Sequence, residues 1–385
     1  MSLTPTDFIK TAHKTAEHYG FSTVDKLKKH QACKDCNITL PHLVTNTNKR
    51  VDDHGGLLCS GVTTFCEARL HAIDAPVLLY SIEQTPRTME PAIAFHIFNV
   101  QKSIAEAILI QVTRALANDL GYTDHTVRIN SLGDKDSMTR YTREATNFLK
   151  KRLDAMPPTA RELMKEHALL ALHHLIAEEH EIGFRSPSPM EFLSDQSRKH
   201  FREIVEYLDM SQTPYEIDSR MLGHHECYSD AIFSIDIHDT DAPVTIRGGR
   251  FDEFAKRTTR TQIPAAGAIV TLKDTKIPAR IPRVKLTTPS VYVVHLGFGP
   301  KIRGLMMIDE LRQAGIPVMH SLASDSLSEQ LRDAEAKGVA YTIIIGQKEF
   351  VENTVILRDM AARNQEFIDQ DAAIKRLKRK KAVLA

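Results

Sequence analysis

Apolar residues recur at every fourth position between Ile104 and Leu120, which is the spacing of one face of a helix. Gly121 follows directly, at a position where helices commonly end. The segment therefore predicts one long helix. Because its apolar face is unbroken, we expect that helix to cover a sheet.

Short apolar runs elsewhere in the chain predict the strands of that sheet. Residues 77–81 form one such run after Pro76, and residues 95–100 follow across a turn near Pro91. The two strands are therefore expected to pair antiparallel. Further strands are predicted near residues 21–24, 127–129, 232–237 and 265–272. The predicted fold class is α/β (α+β), with a mainly antiparallel sheet.

The remaining patterns predict a second unit and a helical insertion. Residues 137–180 show helical periodicity interrupted by two prolines, and the Gly-, Pro- and Ser-rich residues 181–190 favour a linker. Beyond residue 289, strands alternate with helices, which predicts a small sheet with parallel pairs. The predicted organisation is a core at 1–285 with an insertion at about 135–210, a second domain at 289–372 and a basic tail at 373–385.

Composition narrows the class of protein. A chain of 385 residues exceeds what one core usually supports, and 50 basic against 49 acidic residues leave a formal charge of +1. That balance argues against binding nucleic acid with the whole surface but permits local basic patches. We see no continuous apolar segment for a signal peptide or a membrane helix, so we expect a cytoplasmic protein without membrane or DNA partners.

Five cysteines, an odd number, fit a reducing compartment better than a disulfide framework. Cys33 and Cys36 have the spacing of zinc ligands, but the second close pair that tetrahedral zinc needs is missing. Reduced structural thiols are therefore the preferred interpretation, and no metal site is predicted.

One combination of motifs resembles a known family. Gly-Gly-Arg-Phe-Asp at residues 248–252 and Ile-Pro-Ala-Ala-Gly at residues 263–267 resemble signatures of the histidyl-tRNA synthetases, class II enzymes that join histidine to its tRNA through an adenylate. Asn-Ser-Leu-Gly-Asp at residues 130–134 resembles a strand end of the same family. The resemblance covers nearly the whole chain and is weakest before residue 57. The glycines taken alone also fit a turn between two strands.

This resemblance implies a class II core followed by an anticodon-binding-like domain. It also implies a homodimer, tRNA as a partner, and ATP with Mg as cofactors if the chain is active. Residues 291–360 resemble the anticodon-binding domain, and the implied nucleic-acid-binding residues are Lys301, Arg303 and Arg312. A solvated charged face is the alternative for these three. The basic run at residues 375–381 is expected to add salt-sensitive RNA affinity.

The resemblance also supplies candidate site residues. Residues 78–87 resemble the strand that carries the family's second-motif arginine, which makes Arg87 a candidate for binding phosphate, whereas a solvated turn arginine is the alternative. Arg250 is the second catalytic candidate. The implied substrate-binding residues are Tyr228, Gly248, Gly249 and Asp252.

Three expected charges are missing. Gly223 stands where the family places a catalytic arginine, and Asp274 stands near the end of the third motif, where another arginine is expected. Residues 58–64, which include Gly61, contain no acid to receive the amino group of histidine. Losing one preorganised charge stabiliser typically costs about 10² to 10³ in rate. The leading hypothesis is therefore a synthetase-like protein that binds tRNA or nucleotide through an eroded aminoacylation site.

Two alternatives stay open. An active histidine-tRNA ligase would need compensation, for instance Lys273 in the role of a missing arginine. A regulatory subunit of the ATP phosphoribosyltransferase type is the other alternative, although that family generally lacks the carboxyl-terminal domain predicted here.

Overall fold

The computed structural model describes residues 3–24, 53–73, 75–223, 227–239, 241–278, 290–321, 324 and 326–384. Cys33 and Cys36 lie outside these residues. The described helices and strands form two domains, each organised around one sheet.

The first domain is built on a twisted sheet in which nearly all neighbours are antiparallel. Its elements in chain order are α1 (Pro5–His18), β1 (Ser22–Thr23), α2 (Asp53–Glu67), β2 (Val77–Gln84), β3 (Pro91–Phe98), α3 (Ile104–Asp119), β4 (His125–Ser131), α4 (Lys135–Lys150), α5 (Pro158–Glu166), α6 (Ala168–Ala177), α7 (Glu181–Phe184), α8 (Asp195–Met210), β5 (Tyr215–Ile217), β6 (Ser229–Ile237), β7 (Val244–Arg250), α9 (Asp252–Thr259) and β8 (Ala265–Leu272). The described strands join in the order β1-β2-β3-β8-β7-β6-β4-β5. Only β1 with β2 and β4 with β5 pair parallel, so the mainly antiparallel sheet is confirmed.

The two faces of this sheet are covered by different helices. Alternate residues of the central strands, such as Phe95 and Val270, pack with the apolar face of α3. On the opposite face, Val62 and Phe65 of α2 pack over Phe98. The predicted helix over the sheet is therefore confirmed, and α2 covers only part of the second face, beside which an open cleft is left.

The insertion between β4 and β5 consists of helices α4 to α8. Residues 181–190 do not form the expected linker, because they fold into α7 and the start of a 3₁₀ helix at Pro189–Phe192. Ser188 caps that 3₁₀ helix in a reciprocal arrangement with Glu191, and Ile182 is buried. The Ser and Pro residues that suggested a linker act here as helix-start signals.

The second domain has a sheet with both parallel and antiparallel pairs. Its elements are β9 (Val291–His295), α10 (Phe298–Gln313), β10 (Val318–His320), α11 (Leu327–Ala336), β11 (Tyr341–Ile345), α12 (Gln347–Glu352), β12 (Thr354–Asp359), β13 (Asn364–Asp369) and α13 (Gln370–Leu384). The strand order is β10-β9-β11-β12-β13, parallel in the first three and antiparallel in the last three. The predicted parallel pairs are present.

The basic segment near the carboxyl end is the continuation of α13 and not a separate tail. Ala373 and Leu377, one helical turn apart, are buried against the sheet of the second domain, whereas Lys375, Lys378 and Arg379 are exposed. The amphipathic spacing thus ties the segment to the domain while its cations face water.

The two domains contact each other through α1, α3 and α10. The Tyr19 hydroxyl donates to Asp309 at 3.0 Å, and the imidazole of His320 donates to the Tyr19 carbonyl oxygen at 2.7 Å. Arg312 forms an ion pair with Asp119 at 2.5 Å. Because Tyr19 is fully buried, this junction is packed as well as hydrogen-bonded.

Candidate functional site

A cleft of about 440 Å³ opens on the face of the first sheet that α3 does not cover. We call it the sheet cleft. The turn between β2 and β3 forms one wall, and β7 and β8 form the floor. Its lining residues are Leu57, Thr85, Arg87, Thr88, Glu90, Thr245, Arg247, Ile269, Thr271 and Lys273.

Strand alternation places the polar side chains of the floor. On β7, Val244 and Ile246 face the α3 side and are buried, so Thr245 and Arg247 face the cleft. Thr245 stands opposite Thr271 of β8 in the antiparallel register. The cleft floor is therefore polar, although the same strands contribute apolar residues to the core.

Hydrogen bonds hold the wall of the cleft in place. The turn closes through the Thr85 amide, which donates to the Glu90 carbonyl oxygen at 2.9 Å. The Glu90 carboxylate accepts from the Thr88 hydroxyl at 2.8 Å and from the Asp274 amide at 2.9 Å. Glu90 thus links the turn to the end of β8, and Arg87 is carried on a braced turn.

The charge in the sheet cleft is mainly positive. Arg87, Arg247 and Lys273 line it together with one carboxylate, Glu90. Convergent cations of this kind suit a phosphate group, which Arg and Lys bind through charge-assisted hydrogen bonds. Asp274, which stands near the position where an arginine was expected, is not among the lining residues. The structure therefore brings together Arg87 and Lys273, and it adds Arg247.

Arg250, the second catalytic candidate, lies inside the protein and outside the cleft. Its guanidinium donates to both carboxylate oxygens of Glu106 on α3, at 2.7 and 2.9 Å. It also donates to the carbonyl oxygens of Val100 and Lys102. With a fully buried side chain and all donor nitrogens engaged, Arg250 joins β7 to α3.

The buried group around Arg250 contains more charge than a single pair. Burial would raise the pKa of Glu106, but Arg250 and His200 outweigh it and lower that pKa to about 2. Burial disfavours the protonated form of His200, yet the Glu106 carboxylate, 2.8 Å from Nε2, raises the His200 pKa. Glu106 is therefore ionised beside Arg250, in an arrangement that satisfies a buried charge.

Asp252 belongs to the same buried group. It is the first residue of α9, and its carboxylate accepts from the Ala265 amide at 2.6 Å and from Arg250 at 3.3 Å. Burial raises the pKa of Asp252 despite the nearby arginine charge. Its side chain connects α9 to the start of β8 and does not reach the sheet cleft.

Gly248 and Gly249 lie within strand β7, so a turn between strands is the wrong interpretation. A Cβ at Gly248 would come within 2.5 Å of the Phe233 ring, and a Cβ at Gly249 within 2.9 Å of the Tyr228 ring. The two glycines therefore let aromatic rings close on both faces of the strand. Tyr228 itself is buried in this contact.

Gly61, in the region expected to recognise the amino group of histidine, packs on an aromatic ring. It lies in α2, and a Cβ there would stand 2.3 Å from Cε1 of His96 on β3. The His96 ring is fully buried and stacks with Phe98. No side chain fits at Gly61 unless His96 moves, and among the described side chains of α2 only Leu57 lines the sheet cleft.

Gly223, where a catalytic arginine was expected, also lies against a ring. A Cβ at Gly223 would come within 2.8 Å of Cδ2 of Tyr228. The Tyr228 ring is thus enclosed by Gly223 on one side and Gly249 on the other. A larger side chain at either position must displace it.

The three expected RNA-binding cations of the second domain form contacts within the chain. Lys301 is buried, and burial together with Lys102 lowers its pKa to about 8. Arg303 donates to Asn353 and Gln370. Arg312 is paired with Asp119 and Asp309. The exposed cations of α13 are more accessible to RNA than these three.

Sequence reasoning missed Arg247 and Glu106. A signal for Arg247 was available, since it follows two buried alternate residues of the same strand and so faces the other side. The sequence contains no such signal for Glu106, because an acidic residue in the first turn of a helix is ordinarily exposed to solvent.

Within the described ranges, no group of three or more His, Cys, Asp or Glu side chains is placed to hold a metal ion. None of the described helices is long and apolar enough to cross a membrane.

Comparison with known proteins agrees with this architecture. Residues 291–380 match the family model of the HGTP anticodon binding domain. The histidine-tRNA ligase of Thermosipho melanesiensis is 27% identical over 321 residues, which are 81% of this chain and 75% of that protein. The histidine-tRNA ligase of Fervidobacterium nodosum is 27% identical over 300 residues, which are 75% of this chain and 70% of that protein.

A crystal structure of apo S. aureus histidyl-tRNA synthetase matches with a TM-score of 0.51 and 16% identity over 98% of each chain. At that identity the likeness speaks to the fold alone. It confirms the predicted α+β core with its helical insertion and its carboxyl-terminal domain.

Proposed function

We propose that this chain, which is related to the histidyl-tRNA synthetases by sequence and by fold, binds tRNA and a nucleotide but does not activate histidine at an appreciable rate. The observation that carries the proposal is the contact between Gly61 and His96. That contact leaves no space for a side chain at Gly61, and residues 58–64 contain no acid that could receive the amino group of the amino acid.

The absence of the arginine expected at Gly223 also argues against histidine activation. Tyr228 fills the space beside Gly223, so an arginine there would have to displace a buried ring. Adenylate formation needs stabilisation of charge at the α-phosphate, and each absent stabiliser typically costs about 10² to 10³ in rate. The two losses are not additive in general, but both oppose activity.

Nucleotide binding rests on the sheet cleft. Arg87, Arg247 and Lys273 face one carboxylate there, which favours a polyphosphate. Magnesium that accompanies ATP is commonly held by one or two carboxylates and the phosphates, and Glu90 is the lining residue that could serve. The proposed cofactors are therefore ATP and Mg, bound without histidine activation.

Binding of tRNA rests on the second domain. The match of residues 291–380 to an anticodon binding domain and the exposed cations of α13 support it. We further propose a homodimer in the cytoplasm. The buried thiols of Cys59, Cys66 and Cys227 fit a reducing compartment.

A thermal-shift experiment tests the proposed function. ATP with Mg and tRNA should each raise the melting temperature, because a ligand at 100 times its Kd stabilises by about 2.7 kcal/mol, whereas millimolar histidine should leave it unchanged. Arg87→Gln with Lys273→Gln should reduce the ATP shift, and Lys165→Gln on the exposed face of α5 should leave it unchanged. A shift with histidine, or none with ATP and tRNA, would contradict the proposal.

The regulatory-subunit alternative stays a prediction. Co-purification with a phosphoribosyltransferase partner is the assay for it.

A further inference from the structure

A second cleft, of about 610 Å³, lies at the junction of the two domains. We call it the junction cleft. Helices α1 and α3 and the segment before β4 form its first-domain wall, and α10 forms its second-domain wall. Its charged and titratable lining residues are Lys14, His18, Arg114, Asp119, His125 and Arg312.

The lining of the junction cleft carries excess positive charge. Lys14, Arg114 and Arg312 face one carboxylate, Asp119, which gives three cations against one anion. Asp119 is already engaged, since it accepts from Arg312 at 2.5 Å and from the Thr15 hydroxyl at 2.7 Å. The remaining positive charge is carried by Lys14 and Arg114.

Arg114 is the least compensated of these cations. Its guanidinium donates to the Thr213 hydroxyl at 2.8 Å, to Nε2 of His125 at 3.3 Å and to the Gln111 amide oxygen at 3.5 Å. All three partners are neutral, and within the described part of the chain no carboxylate forms an ion pair with it. A half-buried guanidinium held only by neutral acceptors retains its affinity for an anion.

The two histidines of the cleft are positioned as neutral groups. Nδ1 of His18 lies 2.7 Å from the Lys14 carbonyl oxygen, and Nδ1 of His125 lies 3.1 Å from that of Tyr122. Since a carbonyl only accepts, Nδ1 carries the hydrogen in both rings. Burial lowers the pKa of both groups, and the Arg114 charge adds to this at His125. The histidines therefore add no charge of their own at neutral pH.

The walls of this cleft are fixed relative to each other. Arg312 of α10 bonds both Asp119 of the first domain and Asp309 of its own helix, and Asp309 also accepts from Tyr19. Two carboxylates outside the lining also act on the cleft: Asp309, which these bonds engage, acts on Arg114, and Asp124 acts on His125. A ligand in the cleft would contact both domains at once.

We propose that the junction cleft binds a phosphate-bearing ligand of about nucleotide size, between Lys14 and Arg114 on one side and α10 on the other. The volume lies within the range of about 300–1,000 Å³ that small-molecule sites occupy. The site is separate from the sheet cleft and does not depend on its proposed role. Because the ligand touches both domains, its binding stabilises their observed arrangement.

Calorimetric titration with pyrophosphate tests this site. Arg114→Gln should weaken binding about tenfold or more, and Lys14→Gln severalfold, because each removes a charge-assisted contact. Lys10→Gln is the matched control, since Lys10 is exposed on the same helix one turn earlier and does not line the cleft. Arg87→Gln controls for the sheet cleft and should leave this binding event in place.

A second arm with tRNA identifies the source of the phosphate. If Arg114→Gln and Lys14→Gln weaken binding of tRNA but not of pyrophosphate, the cleft binds phosphates of an RNA backbone, and the proposed ligand of nucleotide size is overturned. Unchanged binding of both probes in both variants would overturn the proposal. Loss of pyrophosphate binding in Arg87→Gln, but not in Arg114→Gln or Lys14→Gln, would also overturn it. Lys14 is exposed, so Lys14→Gln keeps the test decisive even if Arg114→Gln unfolds.

Discussion

Arg247 and Arg250 lie three residues apart on strand β7 and face opposite sides of the sheet. Arg247 is exposed in the sheet cleft, whereas Arg250 is fully buried against Glu106. One strand therefore supplies a cation for a ligand and a cation for the core, and the difference follows from the two-residue period of a strand.

Replacing Arg250 should destabilise the fold strongly. Arg250→Gln leaves Glu106 buried without its bidentate partner, and breaking a buried ion pair in this way typically costs about 3–5 kcal/mol. Urea denaturation measures the change. Arg247→Gln on the same strand is the control and should stay within about 0.5 kcal/mol of the wild type. Equal costs for the two variants would refute the assignment of Arg250 to the core.

Gly61 should resist any side chain as long as His96 keeps its place. Gly61→Ala should destabilise by about 1–3 kcal/mol through overpacking, even though alanine favours a helix. The cost should fall when it is measured in a His96→Ala background, because the ring that a Cβ would meet is then gone. A double-mutant cycle by chemical denaturation gives the coupling, and additive costs would contradict the described contact.

The stability that His200 contributes should depend on pH. The Glu106 carboxylate raises the folded-state pKa of His200 above its ordinary value of 6.5, against the effects of burial and of Arg250. This contribution is therefore complete below about pH 6.5 and is lost as the pH rises through the raised value. His200→Asn should cost more free energy of unfolding at pH 6 than at pH 9. A penalty that grows with pH would reverse the predicted sign.

The exposed cations of α13 should matter more for RNA than Lys301 does. Replacing Lys375, Lys378 and Arg379 by Gln should weaken tRNA binding and reduce its salt dependence, by about 0.7–0.9 in log-log slope per lost phosphate contact. Lys301→Gln removes a buried charge, so it should change stability more than the salt slope. Filter binding at several salt concentrations separates the two, and an unchanged slope in the α13 variant would exclude its role.

The parts of the fold that sequence predicted are those with a strong period. The four-residue spacing that begins at Ile104 predicted α3, and apolar runs predicted the central strands. These predictions succeeded because the positions that face the core must be apolar. The segment at residues 181–190 was misread as a linker, since Ser at an N-cap and Pro in the first turn also start helices, as Ser188 and Pro189 do here. The hairpin of β12 and β13 was missed.

The site was less predictable because motif residues serve the core as well as a ligand. Arg250 and Asp252 stand in the motif that suggested catalysis, yet their contacts are with Glu106 on α3 and with the start of β8. Such contacts join positions far apart in sequence, so local sequence patterns do not predict them. Arg87 and Lys273 were named in advance, but their meeting in one cleft required the tertiary structure.

Histidine-dependent exchange between ATP and pyrophosphate tests the central claim most directly. With pure protein, we expect that adding histidine does not raise exchange above the rate of a blank that lacks histidine. The reason is that His96 and Tyr228 occupy the space next to Gly61 and Gly223. Rapid exchange that requires histidine would contradict the account.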